Sequence, residues 1–316
     1  MQKRKLGRSG IEVAPLALGG NVFGWTADEA RSFAVLDGFI GAGFNLVDTA
    51  DVYSVWAPGH KGGESETVIG NWLKQRGGRD KVVIATKVGM QMAPDRKGLA
   101  KAYILRSVED SLKRLQTDYI DLYQSHRDDP DAPMEERFEA YAQLIRQGKV
   151  RAIGASNFSA PRLKQALDLA QAKGYPVYQS LQPHYNLMER AGYEAELEPL
   201  CRERQVGVIP HYSLASGFLT GKYRTEADLA KSPRGGGVKK YLDARGLRVL
   251  AALDEIAGRL GSAPTAVSLA WLIARPGITA PIVSATSVAQ LQQVMAGASL
   301  GLAPGDIAAL DAASAV

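Results

Sequence analysis

Short apolar runs alternate with amphipathic segments along most of the chain. The apolar runs are residues 15–18, 44–48, 81–87, 119–125, 150–155, 177–181, 206–211 and 279–284. Apolar residues recur at helical spacing in residues 64–76, 100–115, 134–147, 160–172, 195–205 and 264–274. Near-continuous apolar strands separated by helices are typical of a parallel sheet covered by helices. The number of strand and helix units favours a closed ring, an α/β (β/α)8 TIM barrel, over a doubly wound sheet.

Two segments lie outside this alternation. Residues 5–13 have turn residues between apolar positions and predict an N-terminal β-hairpin cap before the first barrel strand. Residues 212–241 lack convincing periodicity, and a loop of this length in a compact domain is usually functional or mobile. The length of 316 residues fits one barrel domain over residues 1–316.

Two glycine-rich segments fail to match known nucleotide-binding motifs. Residues 19–24 read GGNVFG and lack the G-x-G-x-x-G spacing of a dinucleotide fold. Residues 217–222 read GFLTGK, which is one residue too short for a P-loop and is followed by Tyr223. A doubly wound nucleotide fold is therefore disfavoured, and a P-loop NTPase is excluded.

Residues able to do chemistry stand at the ends of successive apolar runs. They are Asp48, Lys87, His126, Ser156 and Asn157, and Tyr53 follows the first of them closely. A parallel barrel brings the C-terminal ends of its strands to one mouth. An ammonium stabilises a nearby tyrosinate, and a carboxylate paired with that ammonium holds it in place. We expect Asp48 and Lys87 to tune Tyr53 as a proton donor, with His126 beside it.

Composition and charge narrow the class of protein. The chain has 46% hydrophobic and 22% charged residues, which is ordinary for a globular protein. Its formal charge of +5 includes no run of five basic residues, so no nucleic acid partner is predicted. Cys201 is the only cysteine, which excludes an internal disulfide and a Cys-based zinc site. We predict no metal, a cytoplasmic location, no secretion signal and no membrane span.

The ordered motifs resemble the aldo-keto reductase family over nearly the whole chain. The family's Asp, Tyr, Lys and His tetrad matches Asp48, Tyr53, Lys87 and His126, within FNLVDTADVY, IATK and LYQSHRDD. The likeness continues in LGRSG at 6–10, GASNF at 154–158 and YSLASGFLTGKY at 212–223. The resemblance implies an NADPH-dependent reductase of small aldehydes or ketones. Tyr53 would protonate the alkoxide that hydride transfer creates, and His126 would orient the carbonyl oxygen.

The resemblance also implies a cofactor seat across the barrel mouth. Ser156, Asn157 and Gln179 would bind the nicotinamide carboxamide, and Tyr212 would stack on the ring. The other expected cofactor contacts are Gly20, Asn21, Ser213, Leu214, Ser216, Gly217, Lys222, Arg234, Ser284, Thr286 and Gln290. The expected lining of the substrate pocket is Phe23, Trp25, Trp56 and Met90.

The chain departs from some relatives after its last apolar run. Ser284 and Gln290 stand where we expect the Lys and Arg that bind the 2′-phosphate of NADPH in those relatives. Hydroxyls and amides can bind a phosphate, but they lack the charge-assisted, bidentate strength of Arg. NADPH is the expected cofactor, and NADH or dual use stays open.

Two other functions remain open. Lys87 could form a Schiff base in an aldolase. That function would leave Gln179, Tyr212 and the pair Ser156 and Asn157 without a role. Alternatively, the chain could be a cofactor-binding regulatory subunit with slow turnover, although no long N-terminal extension is present. The physiological substrate and the oligomeric state are not specified by the sequence.

Overall fold

The computed structural model describes residues 2–231 and 235–315 and forms a barrel. An antiparallel hairpin of Arg4–Lys5 (β1) and Glu12–Val13 (β2) comes first. The parallel strands are Ala17–Gly19 (β3), Leu46–Asp48 (β4), Val83–Val88 (β5), Ile120–Ser125 (β6), Val150–Ser156 (β7), Ser180–Gln182 (β8), Gly207–Val208 (β9) and Ile282–Val283 (β10). They lie in the order β10-β3-β4-β5-β6-β7-β8-β9. Backbone bonds from Thr279 to Val208 (2.7 Å) and from Ile282 to Pro210 (2.9 Å) close the ring.

Helices cover the outside of the strands. They are Glu29–Gly41 (α1), Glu64–Arg76 (α2), Lys101–Leu115 (α3), Met134–Arg146 (α4), Ala160–Lys173 (α5), Ala191–Glu194 (α6), Leu197–Arg204 (α7), Ala244–Arg259 (α8), Pro264–Ala274 (α9), Val288–Ala296 (α10) and Pro304–Ala313 (α11). Asp28 and Asp243 cap the starts of α1 and α8, since each side chain accepts a bond from a backbone N–H of the first turn. The predicted (β/α)8 barrel with its N-terminal hairpin is confirmed.

Strand side chains alternate between the barrel interior and the helices. The interior set packs with the hairpin and comprises Leu6, Ile11, Val13, Ala17, Leu46, Val83, Ala85, Leu122, Ala152, Ile209, Ala280 and Ile282. Intervening residues such as Val47 and Ile153 pack with the helices. Because strand side chains alternate with period two, Asp48 follows Leu46 on the inner face. The apolar half of the interior therefore lies toward the hairpin, and the polar half lies toward the opposite mouth.

The hairpin closes the N-terminal end of the barrel. Arg4 Nη1 donates to the backbone oxygens of Ile273 (3.0 Å) and Ile278 (2.9 Å). Gly7 has a φ of +57°, and a Cβ there would lie 2.2 Å from the backbone oxygen of Gln179. Both the backbone conformation and the close approach require glycine at this turn.

Several elements differ from their predicted bounds. The predicted strand 177–181 begins only at Ser180, and the ring of Tyr178 packs against Phe138 and Phe158 outside the barrel. The predicted strands 206–211 and 279–284 are each shorter, as β9 and β10. The predicted helix 195–205 corresponds to α7, and the short helix α6 precedes it. The described part of residues 212–241 forms 3-10 segments at Ala215–Thr220, Glu226–Lys231 and Gly235–Tyr241.

Within residues 2–231 and 235–315, no single helix is long and apolar enough to cross a membrane. Helices α8 and α9 together meet the length and composition criteria, but they are bent by 99° at the break between them.

We predict that Gly7→Ala destabilises the protein far more than Gly10→Ala. Gly10 also has a positive φ, of +76°, but no atom lies within 4 Å of a Cβ built there. The left-handed backbone alone costs about 1–2 kcal/mol, and the clash at Gly7 adds about 1–3 kcal/mol. Urea unfolding of both variants measures the difference, and equal losses would contradict the close packing of the hairpin.

Candidate active site

The four residues of the predicted tetrad lie together at the C-terminal mouth. Lys87 Nζ is 2.7 Å from Asp48 Oδ2 and 2.8 Å from the Tyr53 hydroxyl oxygen. The rings of Tyr53 and His126 meet edge to face, with their centroids 6.0 Å apart. Asp48 and Lys87 are buried, whereas Tyr53 and His126 are partly exposed. The geometry therefore places an ion pair beneath two side chains that can reach a ligand.

The second oxygen of Asp48 is held by two amides that the sequence reasoning missed. Gln182 Nε2 donates to Asp48 Oδ1 at 2.9 Å, and Gln124 Nε2 donates to the same oxygen at 3.2 Å. Both residues continue the inward alternation of their strands, since Leu122 faces the interior and Leu181 faces the helices. The alternation of inward and outward residues along β6 and β8 could therefore have identified both glutamines from the sequence. The two amides fix the carboxylate so that its other oxygen faces Lys87.

The segment after β4 holds Tyr53 in place. Lys87 Nζ donates to the backbone oxygen of Thr49 at 2.8 Å, and the backbone N–H of Asp51 donates to the Lys87 oxygen at 3.2 Å. The Thr49 hydroxyl bonds Ser65 Oγ at 2.8 Å, which in turn donates to the Gly20 oxygen at 2.7 Å. The loop is thus tied to three neighbouring elements.

Burial dominates the protonation of the tetrad. Burial, and then the negative charge of Asp48, raise the pKa of the Tyr53 phenol well above its usual value. Burial lowers the pKa of Lys87, although Asp48 opposes this shift. The tuning of Tyr53 by Lys87 stays a prediction, since burial and Asp48 are the largest influences on the pKa of Tyr53 in this arrangement. Tyr53 retains its proton at neutral pH.

His126 is a neutral imidazole. Burial, and then the charge of Lys87, lower the pKa of His126 well below its usual value. Its Nδ1 is buried and has no hydrogen-bond partner among the described residues. A neutral ring offers one N–H donor and one acceptor nitrogen.

Ser156, Asn157 and Tyr212 line the mouth beside the tetrad. Asn157 Nδ2 donates to the His126 backbone oxygen at 2.9 Å, and Asn157 Oδ1 lies 3.1 Å from His211 Nε2. Ser156 is buried, and its hydroxyl donates to the Gln182 oxygen at 2.9 Å. Tyr212 is 57% exposed, which is unusual for a large aromatic side chain. Its open face can accept a flat ring.

Gln179 does not belong to this mouth. Its Oε1 accepts from the backbone N–H of Arg8 at 2.9 Å, in the hairpin at the other end of the barrel. A bond to the nicotinamide carboxamide, as predicted for Gln179, does not fit this position. The difference arises because β8 begins at Ser180, so Gln179 precedes the strand and Gln182 ends it.

The segment after β9 has a strained backbone. Positive φ angles occur at Tyr212 (54°), Ala215 (48°), Ser216 (58°) and Gly217 (96°). The Nζ of Lys222 lies 3.6 Å from a Cβ built on Gly217, so an ammonium stands over these turns. The hydroxyl of Ser213 turns inward to the Pro210 oxygen at 3.2 Å.

Leu214 is partly buried within the same segment. Arg234 lies outside the described residues. The strained turns under Lys222 are typical of a functional loop and suit a bound anion.

The remaining predicted cofactor contacts lie around β3 and β10. Ser284 Oγ is 2.5 Å from Asn21 Oδ1. The backbone N–H of Gly20 donates to the backbone oxygen of Asp48 at 2.7 Å. The backbone N–H and the hydroxyl of Thr286 each donate to Gln290 Oε1 at 3.0 Å. These polar groups are thus hydrogen-bonded to one another. They are hydroxyls and amides, and none of them is a cation that could pair with a phosphate.

The predicted pocket residues divide into two groups. Trp56 is 47% exposed and contacts Trp25 edge to face at 5.7 Å and Tyr53 at 5.9 Å. Met90 is partly buried. Phe23, in contrast, is fully buried in the core. Its predicted place in the pocket lining was therefore wrong, because its ring packs beneath the loop.

The barrel and the polar residues at its mouth are those of a (β/α)8-barrel enzyme. The chain belongs to the aldo/keto reductase family, whose model matches residues 15–315. The family consists of oxidoreductases that act on small-molecule carbonyl compounds and generally use NAD(P)H. Carbonyl reduction is thus the general activity that membership supports.

Three relatives illustrate the similarity. An uncharacterized oxidoreductase, YrpG of Bacillus subtilis, is 36% identical over 96% of this chain and 92% of its own length. Protein tas of Escherichia coli is 32% identical over 99% of this chain and 97% of its own. Aldo-keto reductase YhdN of Bacillus subtilis is 33% identical over 92% of this chain and 87% of its own.

We predict that Lys87→Met lowers the free energy of unfolding by about 3–5 kcal/mol, because it leaves the buried Asp48 carboxylate without its cation. Arg76→Met is the matched control, since Arg76 pairs with Asp37 at 2.9 Å on the surface. An exposed pair contributes about 0–1 kcal/mol. Urea denaturation at neutral pH compares them, and a similar small loss in both would contradict the central role of the buried pair.

Proposed function

We propose that the protein reduces aldehydes or ketones to alcohols by hydride transfer from NADPH, with Tyr53 as the general acid. The observation that supports this most directly is the Tyr53 hydroxyl, which lies 2.8 Å from a buried ammonium and stands at the barrel mouth. Its neighbour His126 is neutral and also reaches the mouth. A carbonyl oxygen placed between these two side chains would meet two N–H or O–H donors.

Tyr53 delivers the proton. Lys87 Nζ donates to the phenol oxygen, and the phenol's own hydrogen makes only a long contact of 3.5 Å with Asp48 Oδ2, which a substrate oxygen can replace. When that proton leaves, the tyrosinate forms next to an ammonium 2.8 Å away, which stabilises the negative charge. Asp48 keeps the ammonium in place through its contact of 2.7 Å. The high pKa of Tyr53 ensures that the proton is present before the reaction begins.

His126 orients the carbonyl. Its ring stands edge-on to Tyr53, and a neutral imidazole can donate one hydrogen bond to an oxygen at the mouth. A donor aimed at a developing alkoxide lowers the barrier without moving a charge. His126 thus polarises the carbonyl oxygen, and Tyr53 protonates it.

The side chains at the mouth fit a nicotinamide. The cofactor, when bound, supplies the hydride that reduces the carbonyl carbon. Asn157 is exposed and offers an amide group for its carboxamide, and the exposed ring of Tyr212 offers a stacking surface. Ser156 is buried beneath and holds the Asn157 amide at 3.1 Å. Gln179 has no part in this assignment. Lys222, above the strained turns, is placed to bind a phosphate.

The exposed side of the site is aromatic. Trp56 and Trp25 pack against each other next to Tyr53. We assign the substrate to small carbonyl compounds with an apolar or aromatic substituent, because these rings offer apolar surface.

An aldolase is less consistent with the geometry. The ammonium of Lys87 donates to Asp48, Thr49 and Tyr53, so all three of its hydrogens are engaged. A Schiff-base lysine needs a free amine lone pair facing the substrate. Lys87 is also fully buried, which keeps it behind Tyr53.

We expect Tyr53→Phe to lower kcat for carbonyl reduction about 10²–10⁴-fold, because the proton donor is lost. NADPH binding, followed by fluorescence titration, should persist. Tyr193→Phe is the control, since it removes the hydroxyl of a tyrosine in α6 that has no hydrogen-bond partner among the described residues. Wild-type turnover in Tyr53→Phe with the cofactor bound would refute the assignment, and slow turnover of the unmutated chain on every aldehyde and ketone tested would favour a regulatory subunit.

We expect a higher kcat/KM with NADPH than with NADH, and a stronger preference in Gln290→Arg. Gln290 is exposed at the start of α10, where a guanidinium would add a charge-assisted bond worth about tenfold in affinity. Gln292→Arg adds the same charge elsewhere on the helix and is the control. Steady-state kinetics with both cofactors measures the ratios, and a large NADH advantage in the unmutated chain would overturn the choice of NADPH.

A further inference from the structure

One buried carboxylate stands apart from the others in the described residues. The buried acidic side chains are Asp48, Asp51, Glu66, Asp121 and Asp306. Asp48 pairs with Lys87, Glu66 with Arg114 and Asp121 with Arg79, each at 2.7 Å, and Asp306 pairs with Arg259. Asp51 alone has no ion-pair partner in the part of the chain that the structure describes. It is also 0% exposed.

The surroundings of Asp51 offer little to an ionised carboxylate. Ser107 Oγ donates to Asp51 Oδ2 at 3.2 Å, while Oδ1 is buried without a partner. The hydroxyls of Tyr103 and Tyr123 are buried without partners as well. An isolated charge in such a place is costly, and the group takes up a proton instead. When Asp51 is protonated, its carboxyl group carries an O–H that can donate a hydrogen bond, which an ionised carboxylate cannot do.

The charges that face Asp51 balance only when it is neutral. The charged and titratable groups on the packed elements are Lys87 of β5, Glu66 of α2, Arg114 and Tyr103 of α3, and Tyr123 of β6. The two cations already have a carboxylate each, Asp48 and Glu66. Burial, and then the charge of Glu66, raise the pKa of Asp51 to about 8, against the opposing effects of Arg114 and Ser107.

Asp51 is directly connected to the catalytic cluster. It lies in the segment between Asp48 and Tyr53, and its backbone N–H donates to the Lys87 oxygen at 3.2 Å. A negative charge on Asp51 would add a third carboxylate, after Asp48 and Glu66, to the environment of Lys87 and introduce an uncompensated charge beneath the loop. Both effects act on the ammonium and the loop that position Tyr53.

We propose that Asp51 is a positioning residue that works as a neutral, protonated acid, and that its ionisation in mildly alkaline solution displaces the loop that positions Tyr53. Asp51 touches neither substrate nor cofactor and acts through the 49–54 segment and Lys87. The effect on turnover rests on the proposed reductase function, whereas the proton on Asp51 does not.

Urea unfolding across pH tests the proton itself. The folded chain holds a proton on Asp51 that the unfolded chain, with an ordinary pKa near ~3.9, has already lost. The stabilisation is therefore fully present below about pH 4 and is lost as the pH rises toward about 8. Asp51→Asn keeps the shape and neutrality of the acid but cannot ionise. The exposed Asp254→Asn is the control.

Relative to Asp51→Asn, the unfolding constant of the unmutated chain should rise about tenfold per pH unit between about pH 5 and pH 8, then level off. Asp254→Asn should follow the unmutated chain. A ratio that stays constant with pH, or an equal change in Asp254→Asn, would overturn the proposal.

The pH profile of kcat tests the positioning role. In the unmutated chain kcat should fall as the pH rises through about 8, and in Asp51→Asn this decline should be absent. Ser107→Ala removes a donor to the ionised carboxylate, so the decline should move to higher pH. This second variant keeps the test valid if Asp51→Asn does not fold. An unchanged decline in both variants, or in Ser107→Ala alone, refutes the positioning role.

A chain without reductase activity would refute the proposed function instead. The unfolding measurements would then still decide whether Asp51 holds its proton.

Discussion

The buried ion pair between Asp48 and Lys87 is the constraint on which the site depends. Two charges removed from water are stable only with good geometry and with their remaining hydrogen-bonding capacity satisfied. Both conditions are met here, because the amides of Gln124 and Gln182 hold one carboxylate oxygen and Lys87 takes the other. The remaining hydrogens of Lys87 then fix Thr49 and the hydroxyl of Tyr53. The position of the Tyr53 hydroxyl is thus set from beneath, by a buried ammonium.

The barrel makes this pair possible by separating apolar from polar layers. The same inward faces that carry Leu46 and Leu122 toward the hairpin carry Asp48 and Gln124 toward the mouth. The hairpin residues Leu6, Ile11 and Val13 pack against the apolar half of the interior. The apolar layer next to the hairpin and the polar layer at the mouth have the same origin. Both arise because every second residue of each parallel strand faces the barrel interior.

The sequence was informative wherever a residue's role followed from its place in a strand, and uninformative where the role depended on burial. Parallel strands align their C-terminal ends, so Asp48, Lys87 and His126 could be predicted to meet. The prediction for Gln179 failed because residues 177–181 look like one strand in the sequence, whereas β8 begins at Ser180 and the ring of Tyr178 packs against a helix residue, Phe138. The protonation of Tyr53 could not be predicted, since it depends on a balance of desolvation and charge that only the packed structure defines. Whether Phe23 and Trp56 are buried or exposed likewise depends on how the loops fold.

The charges at the mouth limit which ligands the site can bind. The ammonium of Lys87 is neutralised by Asp48, Tyr53 keeps its proton and His126 is neutral, so the tetrad presents donors without net charge. Lys222 stands over the strained turns after β9, where its ammonium also lies 5.0 Å from the centre of the Tyr223 ring. Under the proposed function, anion recognition and carbonyl chemistry would therefore use different segments of the chain. Such a division favours a charged cofactor in an extended groove and a neutral carbonyl substrate beside Trp56, because a carboxylate next to Tyr53 would find no cation to compensate its desolvation.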